Sequence, residues 1–193
     1  MATVLSQNTS DVNSDRAFAG LRARFPDWET VARAPVGAVA DAIRVGGLAQ
    51  LKAPRIQHIL ATIEEREGRI DLGRLEGLPD AEVEAYLRSL PGVGRKTAAC
   101  VLVFSLGRPA FPVDTHVHRV TGRLGWVPEA ATADAAYDLL AEAVPPDVRY
   151  ELHLALVIHG RTVCRARAPA CGDCPVLTVC AYGSARRRGR AVE

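Results

Sequence analysis

The chain has 193 residues, 48% hydrophobic and 24% charged, with 16 Gly and 12 Pro. That is enough to bury one core or two small interleaved ones, and it excludes collagen-like and disordered chains. The formal net charge of +2 says nothing by itself about partners, and the longest apolar run, residues 98–104, is far too short to cross a bilayer. No basic stretch followed by an apolar one opens the chain, so no signal peptide is expected and a cytoplasmic location is.

Residues 1–7 read as the end of an apolar helix. Val12, Ala17, Leu21 and Phe25 then fall on helical spacing, as do Ile56, Ile59, Leu60 and Ile63, with Gly68 as a stop. Val83, Tyr86, Leu87 and Leu90 repeat the pattern before Pro91. Residues 97–106 are apolar on all sides, which predicts a central buried helix. Thr132 is a suitable N-cap for a helix turning Ala136, Leu139, Leu140 and Ala143 inward. Residues 150–158 predict another helix, stopped near Gly160. Gly and Pro punctuate the connections, and no alternation marks a strand. The fold class is all-α, built from many short helices.

Three segments carry chemistry. In residues 90–98, LPGVGRKTA, Pro91-Gly92 sets a tight turn and Gly94 permits close approach of backbone. The turn precedes a helix, whose N-terminal amides favour an anion. Of 24 basic residues only Lys52 and Lys96 are lysines, and Lys96 falls in that helix's first turn. There the helix dipole disfavours a second positive charge, so a neutral amine, the form a Schiff-base nucleophile needs, is promoted. In residues 113–120, VDTHVHRV, Asp114 is either an N-cap or a carboxylate facing developing positive charge. His116 and His118, two apart on a helix, face different ways and do not form a metal pair. They read as surface or phosphate-contacting residues.

The third segment holds Cys164, Cys171, Cys174 and Cys180, while Cys100 stands alone in an apolar stretch and reads as core. Without an export signal, four thiols in so short a span predict a metal site rather than disulfides. Their spacing leaves zinc and an iron–sulfur cluster both open. Residues 161–193 carry seven Arg against Asp173 and Glu193. Arg186, Arg187, Arg188 and Arg190 can touch phosphate or form a solvated tail.

Taken together and in order, LSQNTSD at 5–11, LPGVGRKTA, VDTHVHRV and HGRTVC at 159–164 with the cysteines that follow resemble the endonuclease III family of helix–hairpin–helix (HhH-GPD) DNA glycosylases and AP lyases. The resemblance covers nearly the whole chain. It implies a helical domain with a helix–hairpin–helix at 1–108 and a smaller helical iron–sulfur domain at 109–193, with Cys164, Cys171, Cys174 and Cys180 holding a [4Fe–4S] cluster. It implies that Lys96 is the catalytic nucleophile and Asp114 the carboxylate that stabilises the cationic sugar. Leu48 matches the intercalating wedge; Gln7 and Asn8 are both expected to contact DNA, with Asn8 at the position of the amide directed at the orphaned base. Gly92, Gly94, Arg95 and His116 become DNA contacts. The carbonyls of Arg88, Leu90 and Val93 match positions that hold a monovalent cation.

The expected activity is bifunctional: excision of oxidised pyrimidines from damaged duplex DNA, then strand nicking by β-elimination, by a monomer, at the nucleoid if the source is bacterial. A monofunctional mismatch glycosylase is disfavoured by Lys96 and by the short sequence after Cys180. A non-catalytic DNA-binding or redox-sensing protein on the same scaffold is disfavoured by the presence of both Lys96 and Asp114. Two departures from the family stand out. Its members begin well before LSQNTSD, so an N-terminal segment is expected to be missing. The stretch around residues 70–80 is also longer, as in a sub-branch.

Overall fold

The computed structural model describes the backbone of residues 1–190 and the side chains of residues 1–187. The side chains of Arg188 and Arg190, half of the basic tail expected to meet phosphate, lie outside the described residues. Eleven α-helices, joined by loops and short 3-10 turns, and no strand occur among the described residues, as an all-α fold requires. They are α1 (Ala2–Leu5), α2 (Asp11–Arg24), α3 (Trp28–Arg33), α4 (Val36–Ala42), α5 (Ala49–Glu67), α6 (Asp80–Arg88), α7 (Arg95–Leu106), α8 (Thr115–Leu124), α9 (Ala133–Ala143), α10 (Arg149–Thr162) and α11 (Ala181–Arg190). Two compact units form, Met1–Val101 and the chain from Leu102 onward, so the division falls inside α7, ahead of the expected 108/109 boundary.

In the first unit α5 is the centre. It packs on α1, α3 and α4, and its Ile56, Ile59, Leu60 and Ile63 are all buried, as the periodicity predicts. Gly68 ends it in the left-handed conformation (φ 72°), the common C-terminal stop. On α2 the buried face is Ser14, Ala17 and Leu21, with Phe25 buried at its C-cap. Val12 is displaced from that stripe and is 60% exposed, against expectation. The longer stretch after α5 is anchored rather than loose. Leu75 is buried in the 3-10 turn Gly73–Gly77, Arg74 pairs with Glu67, and Arg74 lies 4.9 Å over the Tyr86 ring of α6.

In the second unit α8 packs on α10 and α11. Phe111, Val117 and Leu140 are fully buried there. Thr132 caps α9, accepting from the Ala135 amide at 3.1 Å. The inward face of α9 is Ala136, Tyr137 and Leu140, while Leu139 and Ala143 are exposed, so the face is rotated from the expected one towards Tyr137. The apolar helix α7 is buried from Thr97 to Cys100 but turns Phe104 out to 49% exposure, so it is not buried all round. Gly160 does not stop α10, which runs through to Thr162. A Cβ at Gly160 would lie 2.9 Å from the His116 Cβ, so this glycine serves close helix approach, not termination.

Candidate active site

The first unit holds the hairpin. α6 and α7 are joined by residues 89–94, where the Val93 amide donates to the Leu90 carbonyl at 3.1 Å and closes the turn. Gly92 sits at φ +69°, and a Cβ there would lie 2.6 Å from Arg55 Nε. The turn thus needs glycine twice over, for backbone hand and for space. Gly94 is different: it is exposed, and a Cβ would meet nothing. Lys96 is half-buried in the first turn of α7, where the sequence places it, beside the outward-pointing amides of a helix start. Arg95 is drawn across the hairpin, its Nε 3.6 Å from Glu84 Oε1.

Next to the hairpin, the two amides of segment 5–11 diverge. Gln7 is engaged at both ends: its Nε2 donates to Thr97 Oγ1 at 3.1 Å and its Oε1 accepts from Arg55 Nη1 at 3.0 Å. Asn8 is exposed and left-handed at φ +53°, a conformation that asparagine tolerates well. Arg55 therefore braces both the hairpin glycine and Gln7, a role no sequence motif signals.

Leu48 is the anomaly of this unit. It is the N-cap of α5, left-handed at φ +51°, and 49% exposed. A leucine offers nothing to a helix N-cap, and left-handed backbone costs about 1–2 kcal/mol in a residue with a side chain. With half-exposed Val45 and Leu51 nearby in sequence, it makes an apolar loop tip held in strain, a combination typical of functional positions.

The second unit holds Asp114 and the cysteines. Asp114 caps α8: its Oδ1 accepts from the amides of His116 at 2.8 Å and Val117 at 2.7 Å. Both bonds go to one oxygen, so Oδ2 has no hydrogen bond among the described residues. Pro112, just upstream, is held by His153, whose Nδ1 donates to the Pro112 carbonyl at 2.9 Å from a buried position. His116 Nδ1 lies 3.1 Å from Arg119 Nη2. Arginine can only donate, so Nδ1 accepts and the ring proton is assigned to Nε2. His118 Nε2 meets the Ala131 carbonyl at 2.8 Å, so the two histidines part as expected.

All four clustered cysteines line one small pocket of this unit. The Gly183 amide donates to Cys180 Sγ at 3.3 Å, Arg123 Nη1 to Cys164 Sγ at 3.4 Å, and His159 Nε2 lies 3.8 Å from Cys174 Sγ. Among the described residues, no group of three His, Cys, Asp or Glu is gathered to hold a metal ion. Cys100 is buried apart, as core. Two arginines of α8 shape the loop. Arg119 donates to the carbonyls of Gly160 (2.8 Å) and Cys164 (3.0 Å), and Arg123 to those of Arg165 (2.8 Å) and Ala166 (3.1 Å). Arg123 also lies 4.8 Å over the Tyr182 ring. Sequence reasoning missed both arginines, because their acceptors are backbone carbonyls that no motif marks.

The hairpin, the capped aspartate and the four-cysteine loop define a helical DNA-repair scaffold, and comparison with known proteins agrees. Residues 1–146 match the HhH-GPD superfamily of base excision DNA repair proteins. An Arabidopsis thaliana protein named for a DNA glycosylase is 40% identical over 184 residues, covering 90% of this chain, which spans 62% of that protein's length. Endonuclease III of Thermotoga maritima is 36% identical over 190 residues, covering 98% of this chain and 84% of the relative. The solved structure of a trapped endonuclease III–DNA covalent intermediate superposes with a TM-score of 0.84 at 30% identity, over 97% of this chain and 84% of that one. The chain belongs to the HhH-GPD superfamily of base excision DNA repair proteins.

Proposed function

We propose that the protein is a bifunctional DNA glycosylase and AP lyase that removes oxidised pyrimidines from duplex DNA. The observation that carries this reading is Lys96 in the first turn of the helix that leaves the Gly92–Gly94 hairpin, in a chain of this superfamily. The damaged nucleotide leaves the stack, because its anomeric carbon is unreachable inside a duplex. The Lys96 amine attacks that carbon as the glycosidic bond breaks and the base departs with the bonding electrons. Asp114 is assigned the carboxylate that offsets the positive charge on the sugar, and the amine's proton leaves to solvent. Ring opening gives the Schiff base. Loss of a 2′ proton then expels the 3′ phosphate, and water releases the lysine.

Three features support a duplex as substrate. Gly94 leaves bare backbone where nothing of the protein lies, which suits a phosphate at a helix start. Leu48 is an exposed apolar wedge of the kind that replaces an extruded base. Asn8, rather than the internally engaged Gln7, is the amide presented for the orphaned base. Turn carbonyls at Arg88, Leu90 and Val93 are assigned to a monovalent cation; Leu90 O keeps a second lone pair beside its bond from Val93. His116 is assigned a phosphate through Nε2–H, and Arg95 a contact at the hairpin's rim. A chromosomal substrate places the enzyme with cytoplasmic DNA, as a monomer.

The four thiols fit an iron–sulfur cluster better than zinc. All four line one pocket, and their spacing resembles the cysteine loop of the endonuclease III family, which favours a cluster over a single zinc. Donors from Arg123 and Gly183 suit the negative charge of ligating sulfur. A [4Fe–4S] cluster held by Cys164, Cys171, Cys174 and Cys180 would supply a structural cross-link for the basic loop.

The test is borohydride trapping of wild-type and Lys96→Ala protein on duplexes with an abasic site or an oxidised pyrimidine. A covalent adduct on both duplexes that vanishes in the variant is expected. A folded, DNA-binding wild type that traps on neither overturns the bifunctional reading.

A further inference from the structure

Arginine serves every basic position but two, and the chemistry above uses only Lys96. The other lysine, Lys52, lies in the first turn of α5 and is 3% exposed. Its Nζ donates to the Leu5 carbonyl at 2.8 Å and to the Gly46 carbonyl at 3.0 Å. Leu5 is the last residue of α1, and Gly46 the last of the 3-10 turn Arg44–Gly46. Both acceptors are therefore helix-end carbonyls, which lack an intrahelical donor and carry negative partial charge.

A residue kept only for packing would be apolar here, because burying an ammonium is costly unless it is hydrogen-bonded. Burial does lower the Lys52 pKa from the ordinary lysine value. A compact ammonium on a flexible stem can satisfy two converging carbonyls where a planar guanidinium would need a wider slot. What the two carbonyls belong to is informative. Gly46 is two residues before Leu48, and Leu5 is three before Asn8. Gly46 is also pressed from the far side, since a Cβ there would lie 2.8 Å from the Ala17 Cβ. Both Leu48 and Asn8 are left-handed, so each probe sits on backbone that needs external support.

Resting on the glycosylase reading, we propose that Lys52 is a positioning residue that locks the Leu48 loop to segment 5–8, so that wedge and amide enter the duplex as one piece. Lys52 touches no substrate. It acts through the two carbonyls, and its loss lets the loop and the segment move independently.

The test compares full-length wild type, Lys52→Met and Lys52→Gln in single-turnover excision of one oxidised pyrimidine, placed either in a complete duplex or in an unpaired bulge. The bulged base is already unstacked and needs no wedge. Lys52→Met is expected to slow the duplex reaction about 100-fold, the scale of an ångström-level misplacement, while leaving the bulge reaction near wild type. Lys52→Gln, whose amide keeps two donors on a stem one bond shorter, recovers part of the loss. A second reading uses 2-aminopurine opposite a non-cleavable abasic analogue: at equal occupancy, wild type raises its fluorescence and Lys52→Met does not. Equal slowing of both substrates, no slowing of either, or an unchanged 2-aminopurine signal overturns the proposal. If Lys52→Met does not fold, the duplex-to-bulge ratio of Lys52→Gln decides, and a ratio equal to wild type overturns it. A wild type that excises from neither substrate overturns the glycosylase reading instead, and the 2-aminopurine comparison then judges Lys52 alone.

Discussion

Asp114 is seen in one role and proposed for a second. Its Oδ1 caps α8 through two amides, and its charge is the one the proposed sugar cation would need. The two roles separate by substitution. Asparagine caps a helix about as well as aspartate, whereas alanine costs about 0.5–2 kcal/mol. Asp114→Asn is therefore expected to keep its melting temperature near wild type while losing activity by about 10²–10³-fold, the span of a lost charge-stabilising group. Asp114→Ala should lose both. Thermal melts beside single-turnover excision read the two effects, and an active Asp114→Asn would reduce Asp114 to a cap. The residues alone offered both roles, and the family resemblance assigned the catalytic one. The structure shows the cap, with both bonds on Oδ1.

At the scale of elements, the hairpin separates glycines that look alike in LPGVGRKTA. Gly92 is required by the fold: left-handed backbone disfavours any side chain by about 1–2 kcal/mol, and a Cβ would displace Arg55, which holds Gln7. Gly94 answers to nothing in the protein. Gly92→Ala is thus expected to lower the melting temperature, and Gly94→Ala to leave it unchanged while weakening duplex binding. Melting curves and duplex titrations check the pair, and a stable Gly92→Ala or a full-affinity Gly94→Ala contradicts the assignment. Such elements were legible where one strong signal acts alone: Thr132 as a cap, Gly68 as a stop, the apolar stripe of α5. They were illegible where tertiary contact decides. Gly160 resembles a helix end yet exists for His116, Phe104 closes an apolar run yet faces outward, and nothing local marks Arg55 as the brace of the hairpin. Lys96 and Asp114 stood out because chemistry restricts residue type there. The long-range partners of Lys52, Arg119 and His153 are backbone carbonyls, which every residue possesses and no sequence advertises.

Across the whole molecule, the four cysteines belong to the second unit, and the role proposed for their loop is duplex binding. In that unit α8 has Asp114 as its N-cap and Arg123 near its end, and Arg123 grips the loop through Cys164 Sγ and two carbonyls. The loop displays exposed Arg165 and Arg167, and α11 adds Arg187. If the proposed cluster holds the loop, leaving the cysteines unligated frees those arginines from a fixed spacing. Cys174→Ser is therefore expected to yield colourless protein with weaker duplex affinity and a shallower dependence on salt. Every phosphate that the protein ceases to neutralise reduces the slope of log K against log salt by about 0.9. A difference of two or three phosphates is therefore measurable in titrations across a few salt concentrations. Residual trapping through Lys96 should persist at high protein concentration, because none of the four cysteines takes part in the proposed Schiff-base chemistry. Unchanged affinity and slope in a colourless variant would show that the loop binds no DNA. A wild type without visible absorbance but with bound zinc would instead return the four cysteines to a single-ion site.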